Sequence, residues 1–169
     1  ALICLHRKRP VFYPRPEMSE VQSTFSLKPG DFAPAFELHD SSGDPHSLHS
    51  LKGEQGTLVL FACNHCPYVI HLAEAVGLLA AEIEGSGIKT IAIMPNEVEN
   101  YPADHPDKMG PFAVESRWNF PYLYDETQEV AKAWSAACTP DFYLLGGEGR
   151  LFYAGQFDSS RPKNDQAIT

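Results

Sequence analysis

Residues 58–79 read Leu-Val-Leu-Phe-Ala-Cys-Asn-His-Cys-Pro-Tyr-Val-Ile-His-Leu-Ala-Glu-Ala-Val-Gly-Leu-Leu. No other stretch constrains the fold as much. Residues 57–62 are short, largely apolar and free of Pro and Gly, as suits a strand buried on both faces. A helical pattern follows at once over 66–84, with Ile70, Leu72, Ala73, Val76, Leu79 and Ile83 forming a broad apolar stripe. Gly77 lowers helix propensity inside that stretch without breaking it, and Gly85-Ser-Gly87 ends it. Residues 88–94 are again a buried strand. Strand, helix and strand in such close succession make a βαβ unit, so the two strands run parallel through a right-handed crossover.

The chain on either side completes a sheet. Pro29-Gly30 marks a turn, residues 32–38 are extended with Pro34 restricting them to an edge, and residues 40–44 are a polar turn. One helical turn fits 47–52, stopped by Gly53. Residues 95–106 form a loop rich in Pro, Asn, Asp and Glu, with residues 101–106 either a lid beside the site or a plain connector. A helix then runs to about Trp118, its start obscured by Gly110-Pro111. A short strand fits 120–124, weakened by Pro121. Val130, Ala131, Trp134 and Ala137 share a face of a helix over 127–137, capped by Asp125 or Thr127. Residues 142–145 and 151–157 are strands joined by Gly146-Gly-Glu-Gly149, the best hairpin signal in the chain. No helix is visible beyond Arg161. The order β-α-β-α-β-α-β-β predicts a three-layer α/β/α sandwich on a mixed sheet. Trp118 and Trp134 belong in its core.

Cys63 and Cys66 stand at C-x-x-C spacing where the strand feeds the helix, the expected setting of a redox site. Cys63, at or just before the helix N-terminus, should have a lowered pKa and attack as thiolate, and Cys66, one turn further in, should resolve the mixed disulfide. Asn64 and His65 intervene. The histidine can lend the thiolate positive charge or a hydrogen bond. Pro67 suits a first helical turn. Thr139-Pro140, just before a strand, is either an invitation to a cis bond in a tight turn or a helix stop with an ordinary trans proline, and Cys138 beside it is either a small apolar filler or a third thiol near the site. The same thiols could serve as half of a zinc site, with His65, His71, His105 or Cys138 completing it, but no second C-x-x-C or His-x-x-x-His is present. Haem attachment would require His where Pro67 stands. His71 reads as a solvated helix residue, and Asp158 and Arg161 as a surface pair. We expect no metal or other cofactor.

Of 169 residues, 43% are apolar and 21% charged, so the chain can build one ordinary globular core. The net charge of −9 argues against a general nucleic-acid binder. No apolar run is long enough to span a membrane. Four cysteines, Cys4, Cys63, Cys66 and Cys138, are too few and too uneven for a disulfide framework. Residues 1–5 are apolar, but His6-Arg-Lys-Arg9 follow them, the reverse of a secretory signal. We expect a flexible arm over 1–23, carrying a short strand at 11–13, and one domain over 24–169. The expected location is cytoplasmic; it would be periplasmic or anchored if residues 1–17 are a processed remnant.

The strand-C-x-x-C-helix unit with a later Thr-Pro resembles the thioredoxin fold. More narrowly, Cys63-Asn-His-Cys-Pro-Tyr-Val69, Tyr122-Leu-Tyr-Asp-Glu-Thr-Gln-Glu-Val-Ala131, Ala137-Cys-Thr-Pro-Asp-Phe142 and Gly155-Gln-Phe-Asp-Ser-Ser-Arg-Pro162 resemble redoxins of the alkyl hydroperoxide reductase/thiol-specific antioxidant (AhpC/TSA) family. The likeness spans about residues 25–164. It implies Cys63 as nucleophile, Cys66 as resolving cysteine and Pro140 as the cis-proline of a substrate-docking loop. It also implies a thiol or disulfide substrate, protein or small molecule, and an upstream thiol reductant or oxidant. The chain departs from the family's peroxidase pattern, Pro-x-x-x-Thr/Ser-x-x-Cys. Aligned on Cys66, those positions hold Val59 and Cys63; aligned on Cys63, they hold Gly56 and Leu60. Dithiol–disulfide exchange is therefore the expected activity, with thiol peroxidase and a metal-binding module as alternatives. Ala62 replaces the aromatic residue that thioredoxins carry before the first cysteine. Their buried acid has no counterpart in the first strand, leaving water, His65 or another segment, with Glu97 as a candidate, to move the proton of Cys66. The fold's last helix is missing.

Overall fold

The computed structural model describes residues 26–169. The arm expected over 1–23, its strand at 11–13 and Cys4 lie outside the described residues. In chain order the elements are β1 (Glu37–Asp40), β2 (Pro45–Ser47), α1 (Leu48–Leu51), β3 (Gly56–Phe61), α2 (Pro67–Glu84) and β4 (Ile88–Met94). A 3-10 turn (Pro102–Asp104) leads into α3 (Pro106–Glu115), followed by β5 (Tyr122–Tyr124), α4 (Glu129–Ala133), β6 (Asp141–Gly146) and β7 (Leu151–Gly155).

The strands form one mixed sheet in the order β2-β1-β5-β4-β3-β6-β7. β3 is parallel to β4, β4 is parallel to β5, and every other pairing is antiparallel. All six residues of β3 are buried, because both of its edges are paired and both of its faces are covered. Alternation along the strand sends Val59 and Phe61 to one face and Leu58 and Leu60 to the other. The first pair joins Ile91, Ile93, Leu123, Trp134 and Tyr143. The second joins Val69, Leu72, Ala73 and Val76 of α2 with Ala92, Met94 and Trp118. The right-handed crossovers β3-α2-β4 and β4-α3-β5 step in the same direction across the sheet, so α2 and α3 share a face. α1 and α4 cover the opposite face through Leu48 and Ala131. The fold is thus the expected three-layer α/β/α sandwich, and both tryptophans are core residues. Trp118 donates its indole N–H to the Ala73 carbonyl at 2.8 Å, and Trp134 donates to that of Pro34 at 3.0 Å.

Three local expectations change. The helix expected over 127–137 is only five residues long. Ser135 takes a left-handed φ of 55°, and the Ser135 N–H to Lys132 and Ala136 N–H to Ala131 bonds close a Schellman turn. Glycine usually occupies that position, so serine gave no stop signal. The first two strands form a hairpin around the 40–44 turn, where the sequence suggested one extended piece. α3 begins earlier than Gly110-Pro111, at Pro106, and carries Pro111 inside it. Residues 156–169 contain no helix or strand. No helix among the described residues is long and apolar enough to cross a membrane.

Gly77 has a role beyond helix propensity. A Cβ there would lie 2.4 Å from the Ser116 carbonyl oxygen and 2.8 Å from that of Arg117, so α2 meets the chain after α3 backbone to backbone. Because neither carbonyl belongs to a flexible side chain, Gly77→Ala is expected to destabilise the fold by about 1–3 kcal/mol. The measurement is urea unfolding, with a lower midpoint and an unchanged m-value.

Candidate active site

β3 ends at Phe61, and Pro67 opens α2 with the ring nitrogen at a position that needs no N–H. The five residues between them form the site loop. Cys66 is the N-cap of α2, and Cys63 lies three residues earlier. Both sulfurs are in the reduced state and both residues are fully buried. The Thr139–Pro140 peptide bond is cis, as the tight turn before β6 suggested. Thr139 lies against both cysteines. The Thr139 hydroxyl lies 3.4 Å from Cys63 Sγ, and Cys66 Sγ donates to the Thr139 carbonyl at 3.3 Å.

The two thiols interact directly and ionise as a pair. That interaction holds the Cys66 pKa down to about 5 against the cost of burial, with the Val69 N–H helping. It pushes Cys63 up, and burial and the Asp104 carboxylate add to the rise. The sequence reading gave the lowered pKa to Cys63; in the structure the interaction between the two sulfurs is the leading cause of both shifts, with the Asp104 carboxylate adding to the rise at Cys63.

That acid, Asp104, is the residue that sequence reasoning missed. It comes from the 3-10 turn in the 95–106 loop and is fully buried. Its Oδ1 accepts the backbone N–H groups of Asn64 at 2.7 Å and His65 at 3.2 Å. Its Oδ2 is 2.6 Å from His65 Nδ1 and accepts Asn96 Nδ2–H at 2.7 Å. Although burial opposes ionisation, the hydrogen bond from His65 leads the bonds that keep the Asp104 pKa below the usual carboxylate value. The same bond raises the His65 pKa. Glu97, the candidate named from the sequence, instead accepts the N–H groups of Glu99 and Asn100. In a polar loop nothing distinguishes one acid from another; the nearest signal was the loop's position directly after β4.

The remaining predicted residues divide between site and surroundings. Asn64 donates to the Ala103 carbonyl and accepts the Tyr122 hydroxyl at 3.0 Å. Burial, with Cys63 and Asp104 nearby, keeps Tyr122 neutral by raising its pKa. Cys138 is half-buried and donates its thiol to Asp141 Oδ1 at 3.2 Å, while Asp141 Oδ2 accepts the Ala137 and Cys138 N–H groups. Its hydrogen bond thus serves the turn before β6. His71 is half-buried rather than solvated, with Nε2 3.0 Å from Ser160 Oγ. Arg161 donates to the backbone carbonyls of Asp158 and Ser160. Cys63, His65 and Asp104 offer ligand atoms within 4.8 Å of one another, so these three could approach a metal. None of the other residues considered for a zinc site, His71, His105 or Cys138, is in that group.

The Asp104–His65 pair predicts a pH dependence of stability. The raised His65 pKa contributes fully below the ordinary histidine value of 6.5 and is lost as pH rises through the folded pKa. The lowered Asp104 pKa contributes fully above 3.8 and is lost as pH falls through its folded value. The difference in melting temperature between the parent chain and His65→Gln should therefore be greatest between those limits and shrink on both sides. Differential scanning fluorimetry across pH checks this.

Residues 29–154 match the AhpC/TSA family. An uncharacterised conserved protein of Geobacillus kaustophilus is 43% identical in its crystal structure, with a TM-score of 0.81, covering 85% of this chain and 76% of that one. A hypothetical protein of Sinorhizobium meliloti is 39% identical with a TM-score of 0.82, covering 85% of this chain and 79% of that one. A candidate peroxiredoxin of Mycobacterium tuberculosis is 29% identical over 67% of each chain. The thioredoxin domain of a Bacteroides vulgatus thiol-disulfide oxidoreductase, 18% identical, shares the fold with a TM-score of 0.65 over 78% of this chain and 90% of that one. With its buried thiol pair at the strand-to-helix junction, this chain belongs to the AhpC/TSA family and is a thioredoxin-fold oxidoreductase.

Proposed function

We propose that the protein exchanges thiols and disulfides through a Cys63–Cys66 couple, with Cys63 as nucleophile and Cys66 as resolving cysteine. The observation that carries this reading is the shared environment of the two sulfurs, which interact with each other and bond to the two ends of Thr139. A carbonyl can only accept, so the Thr139 carbonyl favours the proton on Cys66. The Thr139 hydroxyl can donate, so it favours charge on Cys63. Moving the shared proton from Cys63 to Cys66 therefore arms Cys63 for attack. Cys63 sulfur bonds to one sulfur of a substrate disulfide, and the other substrate sulfur leaves as a thiolate that takes up a proton. Cys66 then attacks Cys63, releasing the second substrate thiol and leaving the protein disulfide. Two electrons pass to the substrate, and an upstream thiol reductant resets the pair. The substrate class is a protein or small-molecule disulfide. Both sulfurs are covered, so the substrate must first displace their neighbours.

The second reading is thiol peroxidase, favoured by the name of the Mycobacterium tuberculosis relative. There a thiolate attacks one oxygen of a peroxide, the O–O bond breaks and the other oxygen leaves as water or an alcohol after taking up a proton; the resulting sulfenic acid condenses with the second thiol to a disulfide, releasing water. The absence of the Pro-x-x-x-Thr/Ser-x-x-Cys pattern counts against it.

Equilibration with glutathione buffers should reveal a reversible two-electron couple between about −270 and −120 mV. Either Cys63→Ser or Cys66→Ser should abolish it. Steady-state consumption of hydrogen peroxide with a thiol reductant present would move the assignment to the peroxidase. No reversible couple would overturn the exchange reading.

A further inference from the structure

We infer that His65 is the proton-exchange group of the cysteine pair and that Asp104 is the positioning residue that holds it there. This rests on the dithiol reading above. Four hydrogen bonds converge on the buried Asp104 carboxylate: from Asn64 N, His65 N, Asn96 Nδ2 and His65 Nδ1. The two backbone N–H groups on Oδ1 could be received by a neutral amide oxygen. What requires a carboxylate is the second oxygen, which accepts both from Asn96 and from His65, the one partner of the four that changes charge near neutral pH. The ring is fixed on its face as well: it stacks on Tyr101 at 4.9 Å between centroids and 10° between planes. Bonded at one nitrogen and stacked, His65 stays beside Cys63, and ligand atoms of His65, Asp104 and Cys63 lie within 4.8 Å of one another. A small side-chain movement or one water closes that gap.

The other groups facing His65 do not compete for this role. Tyr101 stacks on the ring. Tyr122, from β5, is held neutral and donates to Asn64. Asp104, from the 3-10 turn, is held ionised. The two cysteines are the reacting groups themselves. After Cys63 has entered the mixed disulfide, the Cys66 thiol gives its proton to the His65 imidazole. The Cys66 sulfur then bonds to the Cys63 sulfur, the Cys63–substrate bond breaks with its electron pair going to the departing substrate sulfur, and the imidazolium returns the proton to that thiolate. His65 ends as it began, and the two electrons come from the protein dithiol.

The test uses the full chain with Asp104→Asn, His65→Gln and the double variant. Single-turnover oxidation by oxidised glutathione is followed by stopped flow across pH, and the His65 ring is titrated by NMR. Asp104→Asn should unfold cooperatively and keep the two-electron couple, while its resolution step slows about a hundredfold. The inflection of its pH–rate profile should move acidward together with the His65 titration. The double variant should be no slower than the slower single variant. An unchanged inflection, or singles whose effects multiply, would reduce Asp104 to a structural anchor and overturn the inference. If Asp104→Asn fails to fold, His65→Gln carries the test, since it should remove the inflection outright, and an inflection that persists overturns the proposal. A parent chain with no reversible couple would defeat the dithiol reading itself, and this inference with it.

Discussion

The burial of β3 on both faces and both edges organises the rest of the molecule. A strand paired on each side, with β4 parallel and β6 antiparallel, cannot shift by one residue without exchanging the inward sets of both cores. Its end is therefore placed firmly, and the chain must leave the sheet at Ala62. β6 enters the sheet at the same end, because its first residue, Asp141, pairs with Phe61. The Thr139–Pro140 turn consequently faces the loop that carries the cysteines. Thr139 reaches both sulfurs because β3 ends where its antiparallel neighbour begins.

The site gathers three segments around that junction. β3 and α2 supply the thiols, the turn before β6 supplies Thr139, and the loop after β4 supplies Asp104. The parallel β4 also ends near the cysteines, so the loop that follows it can fold over the site. Asn96 and Asp104 link that loop to Asn64 and His65. Burying an acid in this way is costly unless its oxygens are satisfied. Here both oxygens accept two bonds, and one of those donors is a histidine whose own pKa rises in return. The interaction between the two sulfurs, with Asp104 near Cys63, gives chemically similar thiols different tendencies to ionise.

What could be read from the chain follows from local physics. The C-x-x-C pair at the junction of an apolar run and an amphipathic helix, the βαβ unit, the glycine-rich hairpin and Pro140 each carry their signal within a few residues. Periodicity and backbone restriction act over that distance, and they were enough to establish the fold class and to nominate Cys63, Cys66, His65 and Thr139. The end of α4 at Ser135 was not legible, because its left-handed turn lacks the usual glycine.

The tertiary structure alone decided which thiol is lowered, which acid is buried and what Gly77 is for. Asp104 is separated from His65 by a helix, a strand and a loop, and a polar loop looks alike in sequence wherever its acids point. Gly77 reads as a weak helix residue until the chain after α3 is packed against it. The ionisation of Cys63 and Cys66 depends on desolvation and on charges brought together from distant segments. The sequence by itself determined the chemical type of the site, because residue identity and local spacing suffice for that. The electrostatics of the site belong to the fold, because Coulombic and hydrogen-bond terms depend on distances in space that no local pattern encodes.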